Sequence, residues 1–187
     1  MKGLIFLSTL MLFSPLARAD IPIGSKQVLL ETAGGERFEF GTLEKFGTLE
    51  ISRSADEYRF EFSLKEANFS DQFLSMRPFK CIDGAPMYCH LAYPYGKPKS
   101  IKKQDFVNLE YEFLFILRSP TEYGIDPYNG RYYVLSLEGG VFTGEPKAVD
   151  LNILAAPPEE GVTRPITEAE LDFIEVESER FPRLVIH

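Results

Sequence analysis

Tyr58-Arg59-Phe60-Glu61-Phe62-Ser63-Leu64 is the stretch that decides the fold class. Four large apolar side chains alternate with arginine, glutamate and serine. A period of two puts one set on a buried face and the other in water, which is the pattern of a β-strand. Upstream, Ile51 ends a preceding strand, and Ser54-Ala55-Asp56-Glu57 makes the hairpin loop. Residues 27–30 form a first strand, stopped by Gly34-Gly35. Downstream, 131–138 places Tyr133, Leu135 and Leu137 on one face, Gly139-Gly140 turns the chain, and a strand returns from Val141. Residues 147–154 alternate again through Val149, Leu151 and Ile153, and 184–186 supply a last strand. Strands in sequence-adjacent pairs predict a mainly β fold, an antiparallel meander that is barrel-like or two-layered.

Two segments interrupt the strands. Phe106, Leu109, Phe113, Leu114 and Leu117 share one helical face, which predicts an inserted helix over 103–117. Tyr111, Phe113 and Phe115 also alternate, so a strand is the competing reading. Thr167 with Glu170 makes a capping box, predicting a short C-terminal helix over 168–176. Phe40-Gly41-Thr42-Leu43-Glu44 recurs as Phe46-Gly47-Thr48-Leu49-Glu50. Two copies are too few for a solenoid and fit a β-turn-β stretch better.

The chain opens with Lys2, an apolar run to Leu16, and Ala17-Arg18-Ala19, the small-x-small pattern of a signal-peptidase site. The run is shorter than the ~20 residues of a membrane-spanning helix. The expectation is a cleaved signal peptide over 1–19 and a single β-rich domain over 20–187. Of 187 residues, 168 then remain, and losing Lys2 and Arg18 moves the net charge from −8 to −10. So acidic a chain repels phosphate backbones, so no nucleic acid partner is expected. No stable membrane insertion is expected after cleavage. A periplasmic location follows, with an extracellular one as the alternative.

The two cysteines, Cys81 and Cys89, enclose Asp-Gly and Ala-Pro turn chemistry. In an oxidising compartment they predict a disulfide stapling a strand, a tight loop and a returning strand. The disulfide also weakens a metal reading. Met76, Met87, Cys89 and His90 are soft ligands, but a disulfide consumes the thiolate, and the only other histidine is His187. No metal and no cofactor are expected.

Polar and aromatic residues concentrate in 73–95 and 119–133. The first stretch holds Arg77, Tyr88, His90, Tyr93 and Tyr95; the second holds Glu122, Tyr123, Asp126, Tyr128 and Arg131. His90 follows Cys89, which favours a hydrogen-bonded structural histidine over a triad member. Glu122 and Asp126 are a carboxylate pair of the kind sugar-cleaving sites use, and equally a solvated turn begun by Asp126-Pro127. Residues 97–103, KPKSIKK, are a basic run in an acidic chain, either a contact for an anionic partner or a solvated loop.

The strings MRPFKC (76–81), CHLAYPY (89–95) and PTEYGIDPYNG (120–130) resemble signatures of a group of uncharacterised exported bacterial proteins. The resemblance implies a periplasmic setting and carries over no catalytic residues. With no complete catalytic constellation but clustered tyrosines, the expected function is an exported binding or interaction module without catalysis of its own. Its partner is a protein or envelope component, met by Arg77, Tyr93, Tyr95, Tyr123 and Tyr128, since tyrosine offers contact area at low entropic cost. The alternatives are a cell-envelope hydrolase using Glu122 and Asp126 or His90, and a structural or folding-assistance role.

Overall fold

The computed structural model describes residues 20–33, 43–55, 57–73, 78–119, 121 and 124–187. The expected signal peptide, the first copy of the Phe-Gly-Thr repeat up to Thr42, Arg77, Glu122 and Tyr123 lie outside them. Twelve antiparallel strands build one open sheet. They are β1 (Gly24–Glu31), β2 (Leu43–Ser54), β3 (Glu57–Leu64), β4 (Ser70–Phe73), β5 (Pro78–Ile82), β6 (Met87–His90), β7 (Ser100–Ile101), β8 (Phe115–Arg118), β9 (Gly130–Glu138), β10 (Val141–Val149), β11 (Leu171–Asp172) and β12 (Arg183–Ile186). The order is β4-β5-β6-β8-β9-β10-β12-β1-β2-β3-β7, with β11 added beside β10. β1 and β12 pair with each other, Val28 opposite Ile186.

The sheet bends back so that its two halves share a core. Phe46 of β2 and Phe62 of β3 meet Phe113, Phe115 and His90 across the interior. The middle strands therefore have two buried faces. Tyr88, Phe115, Leu117 and Tyr133 enter this shared core. Their neighbours Cys89, Ile116 and Tyr132 enter a second core on the opposite face. There they are covered by Tyr111, Leu114, Leu151, Leu154 and Ile166.

That double burial corrects the helix expected over 103–117. Helix is confined to α1, one turn over Val107–Glu110 that starts where Asp105 Oδ1 accepts the Val107 amide at 3.3 Å. Phe113 to Leu117 is fully apolar because its side chains serve both cores, the sequence pattern of a strand buried on two faces. Such a run also matches a helical stripe, so periodicity alone misassigned it. The helix expected over 168–176 is corrected too. The Thr167–Glu170 capping box forms, but only a 3₁₀ turn, Glu168–Glu170, follows it. Leu171 and Asp172 then pair with Val149 and Ala148, so sheet hydrogen bonds take the backbone that helix would have used. The strand read over 147–154 ends at Val149. Asp150 Oδ1 accepts the Asn152 amide at 2.9 Å and turns the chain into a 3₁₀ segment, Leu151–Leu154.

The disulfide forms as expected. Cys81 is paired with Cys89 both covalently and in the β5–β6 register. Reducing it and blocking the thiols should lower stability by about 2–3 kcal/mol through the entropy of the opened short loop. Urea unfolding of blocked and oxidised protein measures this, and coincident midpoints would contradict it.

Candidate functional site

Three carboxylates among the described residues are almost fully buried: Glu31, Glu110 and Glu179. A buried carboxylate is costly unless a cation or several hydrogen bonds compensate it. Glu31 accepts from Arg183 Nε at 2.6 Å. Glu179 receives Arg131 through two nitrogens, at 3.0 Å and 2.8 Å, and the Tyr88 hydroxyl at 2.5 Å. The partly buried Glu112 holds Lys97 at 2.5 Å and also bonds Lys99.

Glu110 differs. At the end of α1, its Oε2 accepts the Tyr132 hydroxyl at 2.5 Å and its Oε1 accepts the Leu135 amide at 2.7 Å. No ion pair reaches it among the described residues. Arg164 acts on it from a distance, but that guanidinium is committed to Asp105 Oδ2 and Asn108 Oδ1, each at 2.9 Å. Burial therefore raises the Glu110 carboxyl above its usual 4.5, opposed by the two hydrogen bonds. The Tyr132 hydroxyl is pushed upward as well, by burial first and by Glu110 second.

Glu110 and Tyr132 line a cavity of about 290 Å³. Phe106, Val134 and Leu135 give it apolar walls, while Asp105 and Glu168 add carboxylates at its lining. The turn that follows β7 feeds a second cavity. Lys102 and Lys103 line a concavity of about 730 Å³ with Arg53, Glu57 and Tyr58, whereas the next two residues, Gln104 and Asp105, line the Glu110 cavity. Gln104 adopts a positive φ of 65°, which a non-glycine residue rarely takes.

The residues singled out from sequence are placed as follows. His90 is partly buried, and its ring lies among Phe46, Phe62 and Phe115. Its Nε2 meets the Glu112 carbonyl at 2.9 Å; a carbonyl only accepts, so Nε2 carries the proton. Burial holds this imidazole below its usual 6.5. The Tyr93 and Tyr95 hydroxyls bond backbone carbonyls of Thr163 at 3.4 Å and Leu154 at 3.0 Å. Tyr93 also packs edge-on against Tyr111, whose hydroxyl accepts the Ile166 amide at 2.7 Å. These tyrosines thus tie the C-terminal segment to the second core. Tyr128 is exposed, and its amide donates to Asp126 Oδ1 at 3.1 Å. Asp126 therefore organises the turn it was read to initiate.

Sequence reasoning missed Glu110 and its partners. The available signal was an acid set directly between Leu109 and Tyr111, two of the large apolar residues of the segment, where a buried charge has to be compensated. Among the described residues no group of three His, Cys, Asp or Glu is placed to hold a metal, and no helix is long and apolar enough to cross a membrane. No family model, no curated protein and no solved structure matches the chain.

Proposed function

We propose that this chain is an exported binding module that seats a cationic group, such as an amine of a protein or envelope component, against Glu110. Glu110 itself carries the proposal: among the described residues Glu31 and Glu179, the other two near-fully buried carboxylates, are each paired with an arginine, whereas Glu110 is paired with none and opens onto a cavity. An ammonium entering there gains a charge-assisted hydrogen bond in a site already desolvated. A cavity of about 290 Å³ suits one aliphatic arm rather than a whole polymer. Export is supported by the Ala17-Arg18-Ala19 cleavage pattern and by the Cys81–Cys89 disulfide, a bond that persists in oxidising compartments.

n-Butylammonium and n-butanol form the test pair, with amide chemical shifts of α1 and β9 as readout. Wild type is expected to respond to the amine and not to the alcohol. Glu110→Gln keeps the size and, through Oε1, the Leu135 amide bond, while the Tyr132 hydroxyl turns to accept from the new amide NH2. It should weaken amine binding by about tenfold or more, the worth of one charge-assisted bond. Equal responses to both probes, or unchanged amine binding in Glu110→Gln, would refute the proposal.

The same group makes a pH prediction. Its native pKa is raised, so above 4.5 the folded state holds a proton that the unfolded state has lost. Stability then falls as pH rises from 4.5 through the raised value, and stays lower beyond it. Other acids contribute opposite slopes, so the quantity to measure is wild type minus Glu110→Gln. That difference should decline with rising pH across this window; a flat difference would count against a raised Glu110.

A further inference from the structure

The second cavity carries the opposite charge. It lies where the β2–β3 hairpin meets the end of β7, and Arg53, Lys102 and Lys103 line it. Such a cluster is unexpected in a chain of net charge −8. Among the described residues the acids nearby compensate it only in part. Glu57, the acid in its lining, pairs with Arg59 at 3.4 Å. Asp20 bonds Lys103 at 3.2 Å and so offsets one cation. Asp56, in the same hairpin, lies outside the described residues.

Arg53 and Lys102 remain. The Arg53 guanidinium lies over the Tyr58 ring, 5.5 Å from its centre, and its Nε donates to the Ala55 carbonyl at 3.3 Å. Stacking and that bond fix the plane of the fork while leaving its Nη groups without an ion pair among the described residues. Lys102 is exposed, and its ammonium has no ion pair among the described residues. A pre-oriented fork and an exposed ammonium on one concavity suit a doubly charged oxyanion, which the fork can grip through two oxygens. The buried Tyr58 and Ile101 floor the concavity and offer apolar surface for whatever bears the anion.

We propose that this concavity binds a phosphate group, with Arg53 and Lys102 as its principal ligands and Lys103 as an exchangeable third. The site is independent of the Glu110 cavity and takes ligands of opposite charge. The phosphate's source is either a free phosphorylated solute or a phospholipid headgroup, and the same residues serve both.

Inorganic pyrophosphate, followed by calorimetry at low salt, tests the free form. Vesicles of phosphatidylglycerol against vesicles of phosphatidylcholine, followed by co-sedimentation, test the lipid form. Arg53→Gln combined with Lys102→Gln should weaken binding by about tenfold or more, since two charge-assisted contacts are lost. Arg53→Gln and Lys102→Gln taken singly should each weaken binding, whereas Lys65→Gln, which removes the same single charge from an exposed site elsewhere, should change nothing; that comparison separates a site from the general field. Pyrophosphate binding lost in the double variant supports a soluble ligand, and loss confined to anionic vesicles supports a headgroup. Binding of neither probe by wild type, or equal weakening by Lys65→Gln, overturns the site. Glu110→Gln should leave pyrophosphate binding intact, so the two cavities stand or fall separately.

Discussion

Arg131→Ala should lower stability by about 3–5 kcal/mol, the cost of stranding a buried carboxylate without its partner. Arg131 leaves β9 to meet Glu179, 48 residues later in the chain, through Nε and Nη2. Both side chains are largely buried, at 12% and 7% exposure. Without the guanidinium, Glu179 would keep one hydrogen bond, from the fully buried Tyr88 of β6. One carboxylate thus joins β6, β9 and the segment before β12, and its loss loosens all three. For a domain of this size the melting temperature should fall on the order of 10 °C. Arg131→Met with Glu179→Leu removes both charges while filling the space, and should cost clearly less than the single change, because no uncompensated charge remains. A single variant within about 1 kcal/mol of wild type would contradict the coupling, as would a double variant that simply sums two large losses.

The contrast with Glu110 gives this pair a second meaning. Around Glu179 the protein supplies its own cation, and the group is part of the scaffold. Around Glu110 it supplies a tyrosine hydroxyl and an amide, enough for the carboxylate to survive burial but not to neutralise it. Two glutamates of similar burial therefore differ in what they leave for a ligand. Burial alone identifies neither role; the distinction lies in the partners.

Strand pairing was legible wherever one face of a strand looks at water. Tyr58 to Leu64 alternates in sequence and in burial, and the Gly139-Gly140 turn joins the strands on either side of it as read. The disulfide was legible because two cysteines bracket turn residues and nothing else competes for them. Legibility failed where both faces are covered. Phe113 to Leu117 has no polar phase, so helix and strand were equally good readings, and only the placement of β6 and β9 on either side decides between them. It failed again at Leu171, where a correctly read capping box starts a helix that pairing with β10 stops. The sites were legible in their parts. The basic run was visible, yet its members separate: Lys97 is buried against Glu112 and Asn108, while Lys102 and Lys103 face the concavity. Arg53, which completes that concavity, comes from a hairpin about 50 residues away, and no local pattern joins the two.

Phe46→Ala is the most direct probe of how the sheet closes on itself. The Phe46 ring is 1% exposed and lies within 5.1–6.2 Å, centre to centre, of Phe62, Phe69, His90, Phe113 and Phe115. Phe62 belongs to its own half of the sheet; His90 and Phe115 belong to the other. Truncation removes a buried ring and leaves a cavity between halves tied to different strands, so the surroundings cannot easily collapse into it. The expected cost is about 3–5 kcal/mol. Phe73→Ala, at a side chain 78% exposed, is the matched control and should stay within about 0.5 kcal/mol of wild type. The neighbouring glycine sharpens the test. A Cβ on Gly47 would fall 2.5 Å from Phe62 Cε2 and 2.6 Å from the Ser63 carbonyl, and the backbone atom has no room to retreat. Gly47→Ala should therefore cost about 1–3 kcal/mol by overpacking the same place that Phe46→Ala empties. Opposite changes in volume would both destabilise, which happens only where packing is already full. In that light the Phe46-Gly47 step has an architectural meaning: a ring for the core, then a bare backbone where β3 crosses close. Urea midpoints at unchanged slope measure both effects. A loss below about 1 kcal/mol for Phe46→Ala would mean that β2 and β8 do not share a packed core.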